Sequence, residues 1–310
     1  MEYILTAESL CKQYKHFKAL DRFSIHVPKG AIYGFVGKNG AGKTTFIRLA
    51  CGLQEPSAGS YTLFGMKNTD PRIAKCRRRM GAVVETPSIY LDMSAEDNLK
   101  EQYRVIGLPS FDDIPELLRL VGLENTGIKK AKNFSLGMKQ RLGIAIALAG
   151  SPDFLILDEP VNGLDPQGII EMRELILKLN REHQITFLIS SHILDELSRL
   201  ATHYGFIDSG HMVKEISEKE LAAACRKCIR VQVSDIHALT RVLDEMGASY
   251  HIFSDTMADI FAKLNISKLT LALAEQGCDI ISLTEREESL ESFYVNLLGG
   301  GNKNESTIMC

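Results

Sequence analysis

Apolar residues in the first two thirds of the chain come in short blocks, and the spacing within each block separates strands from helices. Ala31 to Val36 is a compact apolar run that leads into a glycine-rich turn, which reads as a buried strand. Lys43 to Cys51 then carries its apolar residues at helical spacing. Phe154 to Leu157 and Ile185 to Ile189 are further short apolar strands, each bounded by turn or polar residues. Strands alternating with helices predict an α/β fold with a mostly parallel sheet and helices on both faces. From about residue 86 to 150 the period is helical, with breaks at Gly107-Leu108-Pro109 and Gly122, so a helical insertion into the sheet domain is expected.

Beyond residue 217 the texture changes. Ile229 to Val233 alternates as a strand, and Asp235 to Met246 is amphipathic with Gly247 as its stop. Tyr250 to Phe261 has room for one or two strands, Ser267 to Gln276 is a helix closed by Gly277, and Asp279 to Leu283 is a strand. The order β-α-β-β-α-β predicts a small α+β module of ferredoxin-like type. A last helix would carry Leu290, Phe293, Tyr294, Leu297 and Leu298 on one stripe. Its other face is acidic, so the stripe is expected to pack on its own domain rather than lie on a membrane. The expected division is therefore a domain over 1–217 with its helical part at 86–150, an accessory module over 218–298, and a disordered tail over 299–310.

Composition narrows the possible roles. The chain has 310 residues and a formal net charge of -3, which leaves no basic footprint for nucleic acid. No apolar run approaches the roughly 20 residues that span a bilayer, and Met1-Glu2-Tyr3-Ile4 has neither the basic nor the apolar part of a signal peptide. A soluble chain is expected, with any membrane role supplied by a partner. The seven cysteines follow no regular spacing, which argues against a disulfide framework and for a reducing compartment. Cys225 and Cys228 have metal-ligand spacing but no matching second pair, so two ordinary thiols are the better reading.

Chemistry concentrates at four places. Gly37 to Thr44 fits G-x-x-x-x-G-K-[ST], in which glycines let successive N–H groups face phosphate oxygens and the following helix adds its positive end. Lys43 would reach the β- and γ-phosphates, and the Thr44 hydroxyl would ligate magnesium. Asp158 and Glu159 close an apolar strand, at the sheet edge where open α/β folds bind ligands. Asp158 would hold the metal and Glu159 would polarise the attacking water. Alone, such a pair reads as a solvated turn; downstream of a phosphate loop it reads as functional. His192, after the strand Ile185 to Ile189 and Ser190-Ser191, could donate to the γ-phosphate or orient the water, though a lone histidine is more often structural. Ser135-Leu136-Gly137-Met138-Lys139-Gln140 opens a helix; by itself it is a helix cap, but with a phosphate loop already present it suggests a second phosphate surface that serves a partner's nucleotide.

Together these residues resemble the ATP-binding subunit of an ATP-binding cassette (ABC) transporter over about residues 1 to 217. Gly37 to Thr44 resembles the Walker A motif, and the resemblance implies ATP contacts from Gly37, Asn39, Gly40, Ala41, Gly42, Lys43, Thr44 and Thr45. Phe154 to Glu159 resembles Walker B, Gly163-Leu164-Asp165 the D-loop with Asp165, and His192 the switch histidine. Tyr14 occupies the place of the aromatic that stacks on adenine, with Phe17 as the second choice. The resemblance implies ATP and Mg2+ as cofactors and a head-to-tail homodimer in which Ser135, Gly137 and Gln140 act on the partner's ATP. It also implies integral-membrane permease subunits and a peripheral place on the cytoplasmic face of the membrane.

Two departures matter. The usual Ser-Gly-Gly-Gln signature is Ser135-Leu136-Gly137-Met138 here, and the position usually held by glutamine in the Q-loop is Glu85, a further candidate metal ligand. With Thr86-Pro87-Ser88-Ile89-Tyr90 after it, Glu85 resembles a branch that includes bacitracin-resistance and lantibiotic-immunity ATPases of Gram-positive bacteria. The implied function is ATP hydrolysis that powers export of a peptide antibiotic or similar amphiphile, with Ser88 to about Tyr103 meeting the permease or, alternatively, forming internal core. Non-transport ABC ATPases of translation or DNA are the second reading; an importer ATPase is a closer rival, against which Glu85 and the C-terminal module argue mildly for export. One phosphate loop, no heptads before Ser135 and no basic face weigh against the second.

Overall fold

The computed structural model describes residues 2–224, 227–261, 264–287, 293, 294 and 297. A first compact unit ends at Glu218 and a second begins at Lys219.

The first unit opens with a hairpin of β1 (Tyr3–Tyr14) and β2 (Phe17–Pro28), followed by β3 (Ile32–Val36) and α1 (Lys43–Ala50). Next come β4 (Ala58–Leu63), β5 (Met66–Lys67), α2 (Ile73–Arg77) and β6 (Met80–Val83). The helical insertion is α3 (Ala95–Ile106), α4 (Ile114–Leu120) and α5 (Leu136–Leu148). The chain then returns through β7 (Phe154–Asp158), α6 (Pro166–His183), β8 (Thr186–Ser191), α7 (Leu194–Ser198), β9 (His203–Asp208) and β10 (His211–Ser217).

Two sheets result. The order β10-β9-β3-β8-β7-β6 is parallel throughout except for β10, which runs antiparallel at one edge. Every residue of β3, β7 and β8 is buried, as parallel strands covered on both faces require. The second sheet, β2-β1-β4-β5, is antiparallel and was not visible in the apolar pattern. Its hairpin changes register several times, and Ser9 and Arg22 adopt φ of 47° and 48°, so the two-residue alternation that marks a strand is broken.

Phe46 of α1 is clamped between the sheets. Its ring centroid lies 4.9 Å from Phe23 of β2 and 5.6 Å from Phe35 of β3, and all three rings are fully buried. That aromatic contact fixes the helix that follows the phosphate loop. A polar bolt joins the same two sheets at β2 and β10. Glu215 accepts from the His26 backbone N–H at 2.8 Å and from the Tyr33 hydroxyl at 2.5 Å, and its other oxygen lies 2.8 Å from His26 Nδ1. Burial, reinforced by the Glu215 charge, holds the Tyr33 phenol well above its usual range, so it remains a donor.

The insertion is helical only from Ala95; residues 86–94 form a loop rather than the start of a helix. Gly81 allows β6 to meet α5, since a Cβ there would stand 2.0 Å from the Ala147 carbonyl oxygen. Asn98, 1% exposed, fixes the loop. It accepts from the Tyr90 N–H at 2.7 Å and donates to the Tyr90 and Ser94 carbonyls at 3.0 and 2.8 Å. Asn98→Ala should cost about 1–3 kcal/mol, because the Tyr90 N–H loses its partner and the Tyr90 and Ser94 carbonyls each lose one of two. A lower urea midpoint at unchanged slope, with faster proteolysis between 88 and 94, would check this.

After α8 (Glu218–Ala224), whose first residue closes the first unit, the second unit contains β11 (Lys227–Val233), α9 (Ile236–Glu245), β12 (Tyr250–Ser254), β13 (Met257–Ile260), α10 (Ile266–Glu275) and β14 (Ile280–Glu287). Its sheet runs β12-β13-β11-β14 with every pair antiparallel. Val231, Leu239, Leu243, Ile260, Leu269 and Leu273 form its core. Gly247 and Gly277, at φ of 66° each, stop the two long helices as expected. The expectations for Cys225, Leu290, Leu298 and the tail 299–310 lie outside the described residues.

Candidate nucleotide site

Because β3, β6, β7 and β8 are parallel, their carboxyl ends share one edge, and each delivers part of the candidate site there. From β3 the chain enters the turn 37–42 and then α1. Gly42 adopts φ of 112°, and a Cβ on it would lie 2.7 Å from the Ala19 carbonyl oxygen, so only glycine fits. The Gly210 N–H donates to the Ala41 carbonyl at 2.9 Å, and the Asp21 N–H donates to the Gly210 carbonyl at 3.0 Å, which holds the turn from behind. Gly42 caps α1 without a side chain, and the first turn carries no acid, so the leading N–H groups are left for an anion. Asn39 and Gly40 are exposed at the tip, Ala41 is buried, and Thr44 and Thr45 are half-buried in the first turn of α1.

Lys43 is only 5% exposed. It donates to the Gly37 carbonyl at 2.5 Å and the Lys38 carbonyl at 3.3 Å, and lies 3.3 Å from Glu159 Oε1. The Thr44 hydroxyl donates to Asp158 Oδ2 at 2.9 Å. His192 Nδ1 lies 2.8 Å from Glu159 Oε2. Five side chains from three strand ends therefore meet: Lys43, Thr44, Asp158, Glu159 and His192. Glu159 is held at φ of 51°, a conformation that a residue with a Cβ keeps only under constraint.

Ser190, which in the sequence reads only as a connector to His192, supplies that constraint. It is fully buried, donates to Asp158 Oδ1, and accepts from the Glu159 N–H at 3.0 Å. The available signal was a serine pair at the end of an apolar strand, beside the acids of the next strand. Cys51 caps the carboxyl end of α1. Burial pushes its thiol up to about 12, with the Asp158 charge adding to the rise, so it brings no charge of its own to the site.

Tyr14, Glu85 and Asp165 each hold partners outside this cluster. Tyr14 ends β1, donates from its hydroxyl to Gln54 Oε1, and has Lys12 Nζ 5.2 Å from its ring centroid. Phe17, its cross-strand partner, is 62% exposed. Both belong to the hairpin whose Ala19 touches Gly42. Glu85 follows β6 and is paired with Arg48 of α1, Oε1 to Nη2 at 2.6 Å. Asp165 caps α6 by accepting from the Gly168 N–H at 3.1 Å.

Ser135 caps α5 in the same way, accepting from the Met138 N–H at 3.2 Å, and is exposed. Leu136 is 45% exposed and touches the turn before α6, where its Cδ2 would stand 3.1 Å from a Cβ on Gly163. Gly137 is half-buried beside Leu164. Gln140 is placed differently from Ser135. At 6% exposure it is part of the packing of α5, because the helix turns it inward, and it does not share the surface that Ser135 presents.

The residues present fit a nucleoside triphosphate with a divalent cation. The glycine cradle is shaped for backbone approach, and Lys43 is a buried cation facing into it. Thr44 and Asp158 offer the hard oxygen donors that magnesium takes, and Glu159 Oε1 is buried without a hydrogen bond.

Comparison with known proteins agrees. A family model described as "ABC transporter" matches residues 20–162. The bacitracin transport ATP-binding protein BcrA of Bacillus licheniformis is 41% identical over 304 residues, covering 97% of this chain and 99% of its own. The chain belongs to the ABC transporter ATP-binding proteins. The lantibiotic transport ATP-binding protein SrtF of Streptococcus pyogenes is 42% identical over 212 residues, 68% of this chain and 90% of its own. The ADP conformation of an ATP-binding cassette is 25% identical with a TM-score of 0.64, covering 71% of this chain and 94% of that one. A dimeric cassette in a post-hydrolysis state, 22% identical with a TM-score of 0.63, covers 69% of this chain and 98% of that one and shares the fold. This ABC ATPase binds and hydrolyses ATP as the family does. Among its described residues, no helix is long and apolar enough to cross a membrane.

Proposed function

We propose that the chain works as one half of a head-to-tail dimer that hydrolyses ATP and powers export of a peptide antibiotic or similar amphiphile through separate membrane subunits. The observation that carries this is the division of the phosphate-binding parts. Lys43, Thr44, Asp158, Glu159 and His192 converge on one sheet edge, while Ser135 caps a different helix and is exposed. A second copy would bring such a surface to the first site. The names of BcrA and SrtF, transport proteins for bacitracin and a lantibiotic, support the cargo class.

In this reading Gly37, Asn39, Gly40, Ala41, Gly42, Lys43, Thr44 and Thr45 hold the phosphates, and Tyr14 or Phe17 stacks on the base. Thr44 and Asp158 hold Mg2+, and bound MgATP supplies the phosphoryl bond that is cleaved. Lys43 exchanges its contact with Glu159 for phosphate oxygens, which frees Oε1 to accept a hydrogen bond from water. Glu159 takes the water proton, His192 keeps the Glu159 carboxylate oriented through Oε2, and Ser190 keeps both acids in place. Ser135 and Gly137 close over the partner's phosphates, and Asp165 lies at the junction between copies.

The loop 86–94 supports a docking role for the helical part. Tyr90 and Leu91 are 58% and 49% exposed, which leaves apolar surface for permease helices. The chain would thus sit peripherally on the cytoplasmic face. The strand order β12-β13-β11-β14 after β-α-β-β-α-β supports a ferredoxin-like fold for the accessory module, which we place over 218–298 after an ATPase domain over 1–217.

Co-expression with its cognate membrane subunits should raise resistance of a sensitive host to bacitracin or a lantibiotic. The Lys43→Ala chain should give none. Unchanged sensitivity to every such peptide, despite an active and assembled complex, would sink the export reading.

A further inference from the structure

Arg48 lies four residues after Thr44 on α1, so both side chains leave the same face of that helix. Its guanidinium meets Glu85, and the strand register explains why that matters. Val83 of β6 pairs with Leu157 of β7; Glu85 and Glu159 each lie two residues further on. Parallel strands therefore bring Glu85, Asp158 and Glu159 toward one edge, where phosphates also bind. Three carboxylates there would repel a polyanion unless each is compensated. Lys43 faces Glu159, the Thr44 hydroxyl bonds Asp158, and Arg48 neutralises Glu85. Glu85 is held at φ of 61°, which a non-glycine residue keeps only where its surroundings impose it.

The pair sits between two tethers. On one side, the Arg48 carbonyl accepts from the Leu53 and Gln54 N–H groups at 2.9 and 3.3 Å, and the Gln54 side chain holds the Tyr14 hydroxyl. On the other, Pro87 packs against α5 at Gly143, where a Cβ would lie 2.6 Å from Pro87 Cβ. The loop is also tied to the short helical turn ahead of Ser135, since the Ala131 and Lys132 N–H groups donate to the Met93 and Leu91 carbonyls at 2.8 Å each. A continuous set of contacts thus runs from α1 through Glu85 to the helix that Ser135 caps.

We propose that Arg48 and Glu85 form a positioning clasp: at residue 85 a protein cation takes the place of the metal, and the clasp sets α5, with Ser135 and Gly137, relative to the phosphate helix. The proposal rests on the nucleotide-site reading given above. The pair is partly exposed, 36% and 56%, so it is weak enough to open and close within a cycle.

The test is steady-state hydrolysis by the full-length chain and MgATP binding by calorimetry, over a range of free Mg2+. Arg48→Gln and Glu85→Gln should each lower kcat by about two- to fivefold, the size expected of a partly exposed pair. KM for MgATP and the Mg2+ midpoint should stay within about twofold, the double variant should fall no further than either single, and the charge-reversed Arg48→Glu/Glu85→Arg chain should recover most of the loss. A raised Mg2+ midpoint in Glu85→Gln but not Arg48→Gln would make Glu85 a metal ligand and overturn the clasp. Additive losses, no loss, or no recovery on charge reversal would overturn it as well. Full MgATP binding by Lys43→Ala in parallel would instead overturn the nucleotide-site reading.

Discussion

Glu159→Gln should lower ATP turnover by about 10²–10⁴-fold while MgATP binding stays intact. The amide keeps the shape of the side chain and can still bond His192, so the neighbours have no reason to move. What it loses is the ability to take a proton from water. It also removes a negative charge from beside the phosphates, so binding should hold steady or tighten. Single-turnover hydrolysis, with calorimetry for binding, separates the two effects. Turnover near the wild-type rate would remove Glu159 from the chemistry.

Lys43→Ala should act on the opposite step. Lys43 is the buried cation of the cradle, bonded to the Gly37 and Lys38 carbonyls and paired with Glu159. Each charged hydrogen bond it makes to a phosphate is worth about 1.5–3 kcal/mol, so MgATP affinity should fall by about 10- to 100-fold or more. Its loss also leaves Glu159 facing the phosphates without a countercharge. The backbone of the cradle is held by Gly210 and Asp21 rather than by Lys43, so the fold should survive. Calorimetry with circular dichroism as a folding control checks this.

Sequence was most informative where one physical demand dominates. A strand buried on both faces must be apolar throughout, so Phe154 to Leu157 and Ile185 to Ile189 were readable as parallel strands. The phosphate loop was readable because its turn tolerates only glycine at Gly42. The hairpin of β1 and β2 was not, since its bulges break the alternation that would reveal it. Ser190 and Arg48 were missed for another reason. Their roles depend on partners in neighbouring elements, Asp158 and Glu85, and no local period encodes that proximity.

The central claim is that the site is completed by a second copy, and the mass of the Glu159→Gln chain with MgATP tests it most directly. Light scattering should show a monomer without nucleotide and a dimer holding one ATP per chain with it. A further Ser135→Arg change should abolish the dimer while each chain still binds ATP, because in the proposed dimer Ser135 meets only the partner's nucleotide. A Glu159→Gln chain that stays monomeric at saturating MgATP, or a dimer indifferent to Ser135→Arg, would contradict the account.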